Sequence, residues 1–207
     1  PRSTVRRSSS ASDVYKRQGI WRSYVPPLAK DRVITILGLG TLGTACGIAL
    51  KRLGFNVRGW SRREKRVDGI QCFYGDEQID SSLMDADIVV LLLPDTPLTQ
   101  NILNQHTLNL LKRGAFVLNP GRGPLIDDDA LLAALETGQI EHATLDVFRI
   151  EPLPQNHQYW SNNKVTVIPH KASETRPKTA SQVIAMNIER AENGQELLYL
   201  VDRENGY

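Results

Sequence analysis

Three glycines, Gly38, Gly40 and Gly43, form a G-x-G-x-x-G pattern between a short β-branched run and a helix-like stretch. In that context the first glycine permits a tight turn, and the second lets a pyrophosphate approach the backbone. The third lets the following helix pack closely against the strand. A helix that begins with Thr41 and Leu42 would point its N-terminal N–H groups at the phosphates. The segment therefore predicts dinucleotide binding rather than an ordinary glycine-rich turn.

A basic segment follows the next apolar run, and Ser61 stands about twenty residues after Gly40, where such folds read the cofactor ribose. An acidic residue there would bind a 2′-hydroxyl and repel a 2′-phosphate. Serine removes that repulsion, and Arg62 offers a planar fork of donors suited to phosphate. Arg63 and Lys65 add positive charge. A solvated basic turn is the alternative, but this offset favours NADPH over NADH.

Four further polar residues follow predicted strands. Arg122 lies in the glycine-rich loop "NPGRG", Asp146 lies at a strand end with Glu151 shortly after it, and His170 directly follows another strand. Ligands of open α/β sheets bind outside the carboxyl ends of the strands. We therefore expect all four side chains to share one cleft. Each also has a structural alternative, as a loop cap, a surface charge or a packed histidine.

The remaining histidines lack comparable positions, and we expect them to be surface residues: His106, His142 and His157. No Cys/His spacing indicates a metal site.

Alternating strand and helix patterns must position these residues. Apolar runs predict strands at 33–37, 55–60, 87–93, 115–119, 143–147 and 165–168, and helical periodicity predicts helices at 41–53, 128–137 and 176–193. Leu93 and Pro94, where the third strand ends, are further candidate cofactor contacts. Such alternation predicts an α/β fold, a Rossmann-type doubly wound parallel sheet in a single nucleotide-binding domain.

The composition excludes several classes of protein. The 207 residues are 41% hydrophobic and 23% charged with a net charge of +2, which is typical of a globular domain and gives no reason to expect a nucleic-acid partner. Two cysteines are too few for a disulfide framework, so we expect a reducing, cytoplasmic location. No apolar run approaches the length that spans a membrane.

The motifs together resemble the D-isomer-specific 2-hydroxyacid dehydrogenases, and most closely their glyoxylate/hydroxypyruvate reductase branch. The resemblance covers roughly residues 19–207 and rests on "GLGTLG", "GWSRR", "LLLPDTPLTQNILN", "VLNPGRG", "LDVFRIEPLP", "VIPHKASETRP" and "VDRENGY". It implies NADPH-dependent reduction of small 2-keto acids, such as glyoxylate or hydroxypyruvate, and a homodimer formed through the nucleotide-binding domain.

The resemblance also implies roles for individual residues. Arg122 would anchor the substrate, Glu151 would pair with the histidine, and His170 would donate the proton. Asp146 would contact the nicotinamide. Lys171 stands where the family pattern leads us to expect an apolar residue, so we expect a different local environment around His170.

The domain organisation follows from the same reasoning. Residues 1–18 are rich in serine and arginine and are expected to be a disordered or non-native leader, and 19–31 the remnant of an interdomain connection. The dinucleotide-binding domain would span 32–175, followed by a C-terminal helix and tail at 176–207. Family members begin with a substrate-binding domain, so we expect this chain to be a fragment that binds NADPH and turns over substrate feebly or not at all.

Two other functions remain open. One is a non-catalytic NAD(P)H-binding module of the same fold, and the presence of Arg122, Glu151 and His170 together argues against it. The other is a β-hydroxyacid dehydrogenase, whose helix-borne lysine has no counterpart that we find in this sequence.

Overall fold

The fold is a parallel sheet covered by helices on both faces. The computed structural model describes residues 25–173 and 175–201. Within these residues the strands are β1 (Val33–Leu37), β2 (Asn56–Ser61), β3 (Gln71–Tyr74), β4 (Ile88–Leu91), β5 (Ala115–Asn119), β6 (Ile140–Leu145) and β7 (Val165–Val167). They form one sheet in the order β3-β2-β1-β4-β5-β6-β7, and every neighbouring pair is parallel. The predicted fold class is confirmed.

The described part of the chain has five α-helices between and after the strands: α1 (Thr41–Arg52), α2 (Ile79–Leu83), α3 (Gln105–Leu110), α4 (Asp128–Thr137) and α5 (Pro177–Glu192). The bounds of α4 follow from local chemistry. The Asp127 side chain accepts hydrogen bonds from the backbone N–H groups of Asp129 and Ala130, and Gly138 ends the helix in the left-handed conformation, with φ of 74°. Among the described residues, no helix has the length and apolar character needed to cross a bilayer.

The sheet reverses its winding direction between β1 and β4. Both strands are almost entirely buried, with Ile36, Leu37, Val89 and Leu91 fully covered by the layers above and below. Parallel strands buried on both faces read as continuous apolar runs, which is why the sequence predicted them. The carboxyl ends of β1 and β4 lie side by side, and a crevice at such a switch point is where α/β sheets bind ligands.

The structure corrects several predicted boundaries. Strand β3 was not predicted, because its four residues are half-exposed at the sheet edge and carry no apolar run. Strand β6 begins at Ile140 and ends at Leu145, so Asp146 lies just beyond the strand. The short helices α2 and α3 were also missed. The predicted leader at 1–18 and residues 19–24 of the predicted connection lie outside the described residues, as do 202–207 of the tail.

Candidate active site

The glycine loop joins β1 to α1 in a conformation that larger residues could not adopt. Gly38 has φ of 110°, and a Cβ there would lie 2.5 Å from the carbonyl oxygen of Leu92. A Cβ on Gly43 would lie 1.7 Å from the carbonyl oxygen of Gly38, so this glycine lets α1 approach the loop. A Cβ on Gly40 would meet no described atom within 4 Å. The loop thus leaves its backbone open at Gly40.

The same loop fits a phosphate group. Gly40 is the N-cap of α1 and, among the described residues, no side chain caps this helix end. The N–H groups of the first turn, which begins with Thr41 and the exposed Leu42, are therefore available as donors at the positive end of the helix dipole. This is the donor set that a dinucleotide pyrophosphate requires.

The basic turn after β2 lies against the glycine loop. Ser61 is buried at the end of β2, and its Oγ donates a hydrogen bond of 2.9 Å to the carbonyl of Arg63. The Nζ of Lys65 donates to the carbonyl of Leu39 at 2.5 Å, which brings a positive charge onto the loop itself. Arg62 is half-buried and Arg63 is exposed. These residues gather positive charge beside the predicted phosphate site.

The segment after β4 borders the same loop from the other side. A Cβ on Gly38 would lie 3.0 Å from the backbone nitrogen of Leu93, which is buried. The carbonyl of Pro94 accepts a hydrogen bond from Thr99 Oγ1 at 2.7 Å. Leu93 and Pro94 therefore form a wall of the crevice.

Glu151 and His170 meet beyond the carboxyl ends of β6 and β7. The imidazole Nδ1 of His170 lies 2.7 Å from Oε2 of Glu151, and Oε1 of Glu151 accepts a hydrogen bond from the Phe148 N–H at 2.9 Å. The side chains are 53% and 36% exposed. Burial acts to raise the pKa of Glu151, but the hydrogen bonds from His170 and Phe148 and the charges of His170 and Arg122 together hold that pKa below its usual value. The carboxylate is therefore ionised near neutral pH.

Arg122 lies on the loop that follows β5. The buried Asn119 side chain shapes this loop, because it accepts a hydrogen bond from the Gly121 N–H and donates one to the Arg122 carbonyl. The guanidinium of Arg122 donates to the Gly121 carbonyl at 2.7 Å and is exposed at the site. Its charge contributes to the lowered pKa of Glu151. The structure thus brings Arg122, Glu151 and His170 to one edge of the sheet.

Asp146 is buried directly beneath His170. Its carboxylate accepts hydrogen bonds from the backbone N–H groups of Lys171 at 2.7 Å and Ala172 at 2.9 Å, and its carbonyl accepts one from the His170 N–H at 2.8 Å. His170 has a left-handed backbone, with φ of 50°. Asp146 therefore holds the backbone of residues 170–172 in place. The sequence analysis expected Asp146 to contact the cofactor, and that expectation stays a prediction. The Lys171 side chain is exposed, and its backbone rather than its charge joins this anchor.

The other histidines occupy three different environments. His106 is exposed, as predicted, and pairs with Asp80 at 2.8 Å. The surface prediction was wrong for His142, which is half-buried in β6 and bonded to Thr166 Oγ1 at 2.8 Å. It was also wrong for His157, which is half-buried against the Tyr159 ring. No group of three or more His, Cys, Asp or Glu side chains in the described part of the chain could hold a metal ion.

Sequence reasoning missed two residues that shape the site. Asn119 ends β5, and an asparagine between a strand and a glycine-rich turn is a recognisable signal for a side chain that bonds its own loop. Arg149 bonds to residues that are distant along the chain, and no sequence signal marks it.

Comparison with known proteins shows which proteins this chain is similar to. The family model described as "D-isomer specific 2-hydroxyacid dehydrogenase, NAD binding domain" matches residues 3–172. A protein named glyoxylate/hydroxypyruvate reductase A from Serratia proteamaculans is 44% identical over 192 residues, which are 93% of this chain and 61% of that protein. One of the same name from Yersinia enterocolitica is 39% identical over 99% of this chain and 66% of its own length. The chain thus spans about three fifths to two thirds of these relatives.

Solved structures show the same fold. A D-isomer specific 2-hydroxyacid dehydrogenase from Xanthobacter autotrophicus Py2, in complex with NADPH and MES, has a TM-score of 0.91 and 44% identity and covers 95% of this chain and 81% of its own. An NADPH-dependent glyoxylate/hydroxypyruvate reductase from Sinorhizobium meliloti, in complex with NADP and sulfate, has a TM-score of 0.91 and 32% identity, with coverage of 95% and 64%.

Proposed function

Because the chain belongs to the D-isomer-specific 2-hydroxyacid dehydrogenase family, we propose that it takes part in NADPH-dependent reduction of small 2-keto acids, glyoxylate and hydroxypyruvate, to 2-hydroxy acids. The observation that carries the proposal is the 2.7 Å contact between His170 and Glu151 at the sheet edge that also bears Arg122. Reduction of a keto acid needs a hydride on carbon and a proton on oxygen. When bound, the reduced nicotinamide supplies the hydride.

His170 is the proton donor in this proposal. Its Nδ1 is engaged by Glu151, which leaves Nε2 to deliver the proton to the substrate oxygen. Glu151 holds the ring in one orientation and, as an ionised carboxylate, stabilises the charged imidazolium. Proton transfer by an oriented histidine contributes roughly 10²- to 10⁴-fold to such rates.

Arg122 binds the substrate in this proposal. A guanidinium has five N–H donors, and the hydrogen bond to the Gly121 carbonyl uses only part of them. The remaining donors can grip the carboxylate of a keto acid and stabilise the negative charge that develops on its carbonyl oxygen. A 2-keto acid presents both groups on adjacent carbons, which suits a single arginine.

The cofactor assignment rests on the basic turn and the glycine loop. We assign the pyrophosphate to the loop around Gly40 and the 2′-phosphate to the turn that begins at Ser61, since Ser61 carries no charge that repels phosphate and Lys65 reaches the loop. Asp146, Leu93 and Pro94 would border the nicotinamide half. The Xanthobacter and Sinorhizobium relatives, solved with NADPH or NADP, support this choice.

Residues 32–175 form the dinucleotide-binding unit in this proposal, and the native assembly is a homodimer formed through it. The catalytic pair is substantially exposed in the described residues, so water competes for the charges that bind substrate. We therefore expect slow turnover by this chain. The glycine loop and the basic turn are both among the described residues, so we still expect tight NADPH binding.

The test is glyoxylate-dependent oxidation of NADPH, followed by cofactor absorbance at high protein concentration. His170→Ala should lower the rate about 100-fold or more and leave the NADPH dissociation constant unchanged. His106→Ala is the matched control, because it removes an exposed histidine that also pairs with a carboxylate, that of Asp80, which is no part of the proposed site. Equal rates in the His170 and His106 variants would contradict the role of His170, and absence of NADPH binding would contradict the cofactor assignment.

A further inference from the structure

Arg149 joins segments of the chain that are far apart in sequence. Its Nη2 contacts the Oδ1 of Asn101 and the carbonyl oxygen of Ile126, and its Nε lies 3.6 Å from Oδ2 of Asp128. Asn101 is 48 residues away along the chain and Ile126 is 23 residues away. The side chain is 35% exposed, so these contacts are only partly open to water.

Each of these segments leads to part of the candidate site. Asn101 lies on the segment after β4 that begins beside the glycine loop. Ile126 closes the loop that carries Arg122, and Asp128 is the first residue of α4. Arg149 itself stands two residues before Glu151. One guanidinium therefore ties the Glu151 segment to the two neighbouring segments of the site.

A buried tyrosine fixes the acidic partner of Arg149. The hydroxyl of Tyr159, which is 2% exposed, donates a hydrogen bond of 2.8 Å to Oδ1 of Asp128. Burial raises the pKa of Tyr159 well above its usual value, and the Asp128 carboxylate raises it further, so the tyrosine remains a donor at any physiological pH. Asp128 is thus held in place with one oxygen directed toward Arg149.

Backbone packing makes the Glu151 segment sensitive to where Arg149 is held. A Cβ on Gly123 would lie 2.0 Å from the carbonyl carbon of Phe148, so the Arg122 loop and the Glu151 segment touch along their backbones. The N–H of Phe148 is also the donor to Oε1 of Glu151. A small shift at residues 148–149 would therefore break a hydrogen bond to the carboxylate that meets His170.

We propose that Arg149 is a positioning residue: it clasps the Glu151 segment against Asn101, Ile126 and Asp128, and so holds the Glu151 carboxylate where both Phe148 N–H and His170 reach it. Arg149 acts through Glu151 and does not touch the reacting atoms. The geometric part of this proposal stands on the described contacts, and its catalytic consequence rests on the proposed function.

The decisive experiment is a carbon-detected NMR titration of the Glu151 carboxyl in the chain and in Arg149→Lys. Lysine keeps the positive charge but lacks the planar fork that reaches several acceptors at once. If Arg149 is a clasp, the pKa of Glu151 rises toward its ordinary value in Arg149→Lys, because the hydrogen bonds that lower it are loosened. If Arg149 acts only as a distant charge, the pKa stays unchanged in Arg149→Lys and rises only in Arg149→Ala, and the proposal is overturned.

Arg113→Lys is the matched control, because Arg113 also donates to a backbone carbonyl, that of Thr137 at 2.7 Å. Arg113 lies just before β5, at the amino-terminal ends of the strands, whereas the candidate site lies at their carboxyl ends. It should leave the Glu151 titration unchanged. An equal rise in this variant would also overturn the proposal.

Turnover separates this inference from the proposed function. We expect Arg149→Lys to lower kcat about tenfold, with smaller changes in KM for glyoxylate and none in NADPH affinity. A changed Glu151 titration together with equal rates in the His170 and His106 variants would uphold the clasp and contradict the proposed function. An unchanged Glu151 titration in a chain that reduces glyoxylate through His170 would contradict the clasp and support the proposed function.

Discussion

In the proposed function, cofactor choice depends on Ser61. It is buried at the end of β2, with its hydroxyl bonded to the Arg63 carbonyl, and the basic turn beyond it reaches the glycine loop through Lys65. An aspartate carboxylate at this position would lie close to the 2′-phosphate of the cofactor. Two negative charges placed close together repel each other strongly in a partly buried site.

We predict that Ser61→Asp reverses the preference for NADPH over NADH. Calorimetric titration should show that the unaltered chain binds NADPH at least about tenfold more tightly, a difference of about 1.4 kcal/mol, and that the variant favours NADH. The preference of the unaltered chain should shrink at high salt, because salt screens the attraction between the 2′-phosphate and the basic side chains of the turn. Ser81→Asp adds the same charge on the exposed surface of α2 and should leave the preference intact. Equal affinities of the unaltered chain for the two cofactors would refute the assignment.

At the scale of elements, the pairing of β6 with β7 has a built-in sensitivity to acid. His142 is half-buried in β6, and its Nε2 lies 2.8 Å from Thr166 Oγ1 in β7. Burial lowers the pKa of His142 below its usual 6.5, against a smaller opposing effect of Glu141. The unfolded chain therefore takes up the proton at a higher pH than the folded chain does, so stability falls as the pH drops below about 6.5.

We predict that His142→Gln reduces this loss of stability, because glutamine does not titrate and can still bond Thr166. Thermal unfolding measured from about pH 7 down to about pH 5 should show a smaller decrease in Tm for the variant. His106→Gln, which removes an exposed histidine paired with Asp80, is the control. A decrease in Tm as large in His142→Gln as in the unaltered chain would show that other groups cause the acid sensitivity.

At the scale of the whole molecule, apolar side chains are exposed on two helices. Leu42 on α1 and Leu53, the residue that directly follows this helix, are 63% and 69% exposed, and on α5, Ile184 and Ile188 are 60% and 56% exposed. Helix α5 buries none of its described residues. Clusters of exposed apolar side chains commonly mark contact surfaces.

We predict that the chain forms a homodimer in solution, since closed two-fold pairs are the commonest soluble assemblies and bury such surfaces on both partners at once. Sedimentation velocity across micromolar concentrations should show a species of twice the chain mass. A monomer at every concentration would contradict the prediction.

Much of this protein followed from the sequence because the relevant signals are local. The β1 run, the glycines and the start of α1 are contiguous, and burial on both faces of a parallel sheet leaves an unbroken apolar pattern that needs no tertiary information. Since parallel strands end at one edge, the sequence also predicted that Arg122, Glu151 and His170 would converge. Strand β3 escaped because a short, half-exposed edge strand has no such pattern.

Tertiary structure decided the contacts between distant segments. Asp146 binds backbone groups 25 and 26 residues away, and Arg149 reaches Asn101 across 48 residues. His142 is half-buried because β7 packs beside β6, although neighbouring residues in sequence give no sign of it. Such contacts depend on how loops meet after the sheet has formed. The sequence by itself therefore determined which residue types lie at the carboxyl ends of the strands. The packing of the loops determined which of these side chains hold the catalytic groups in place.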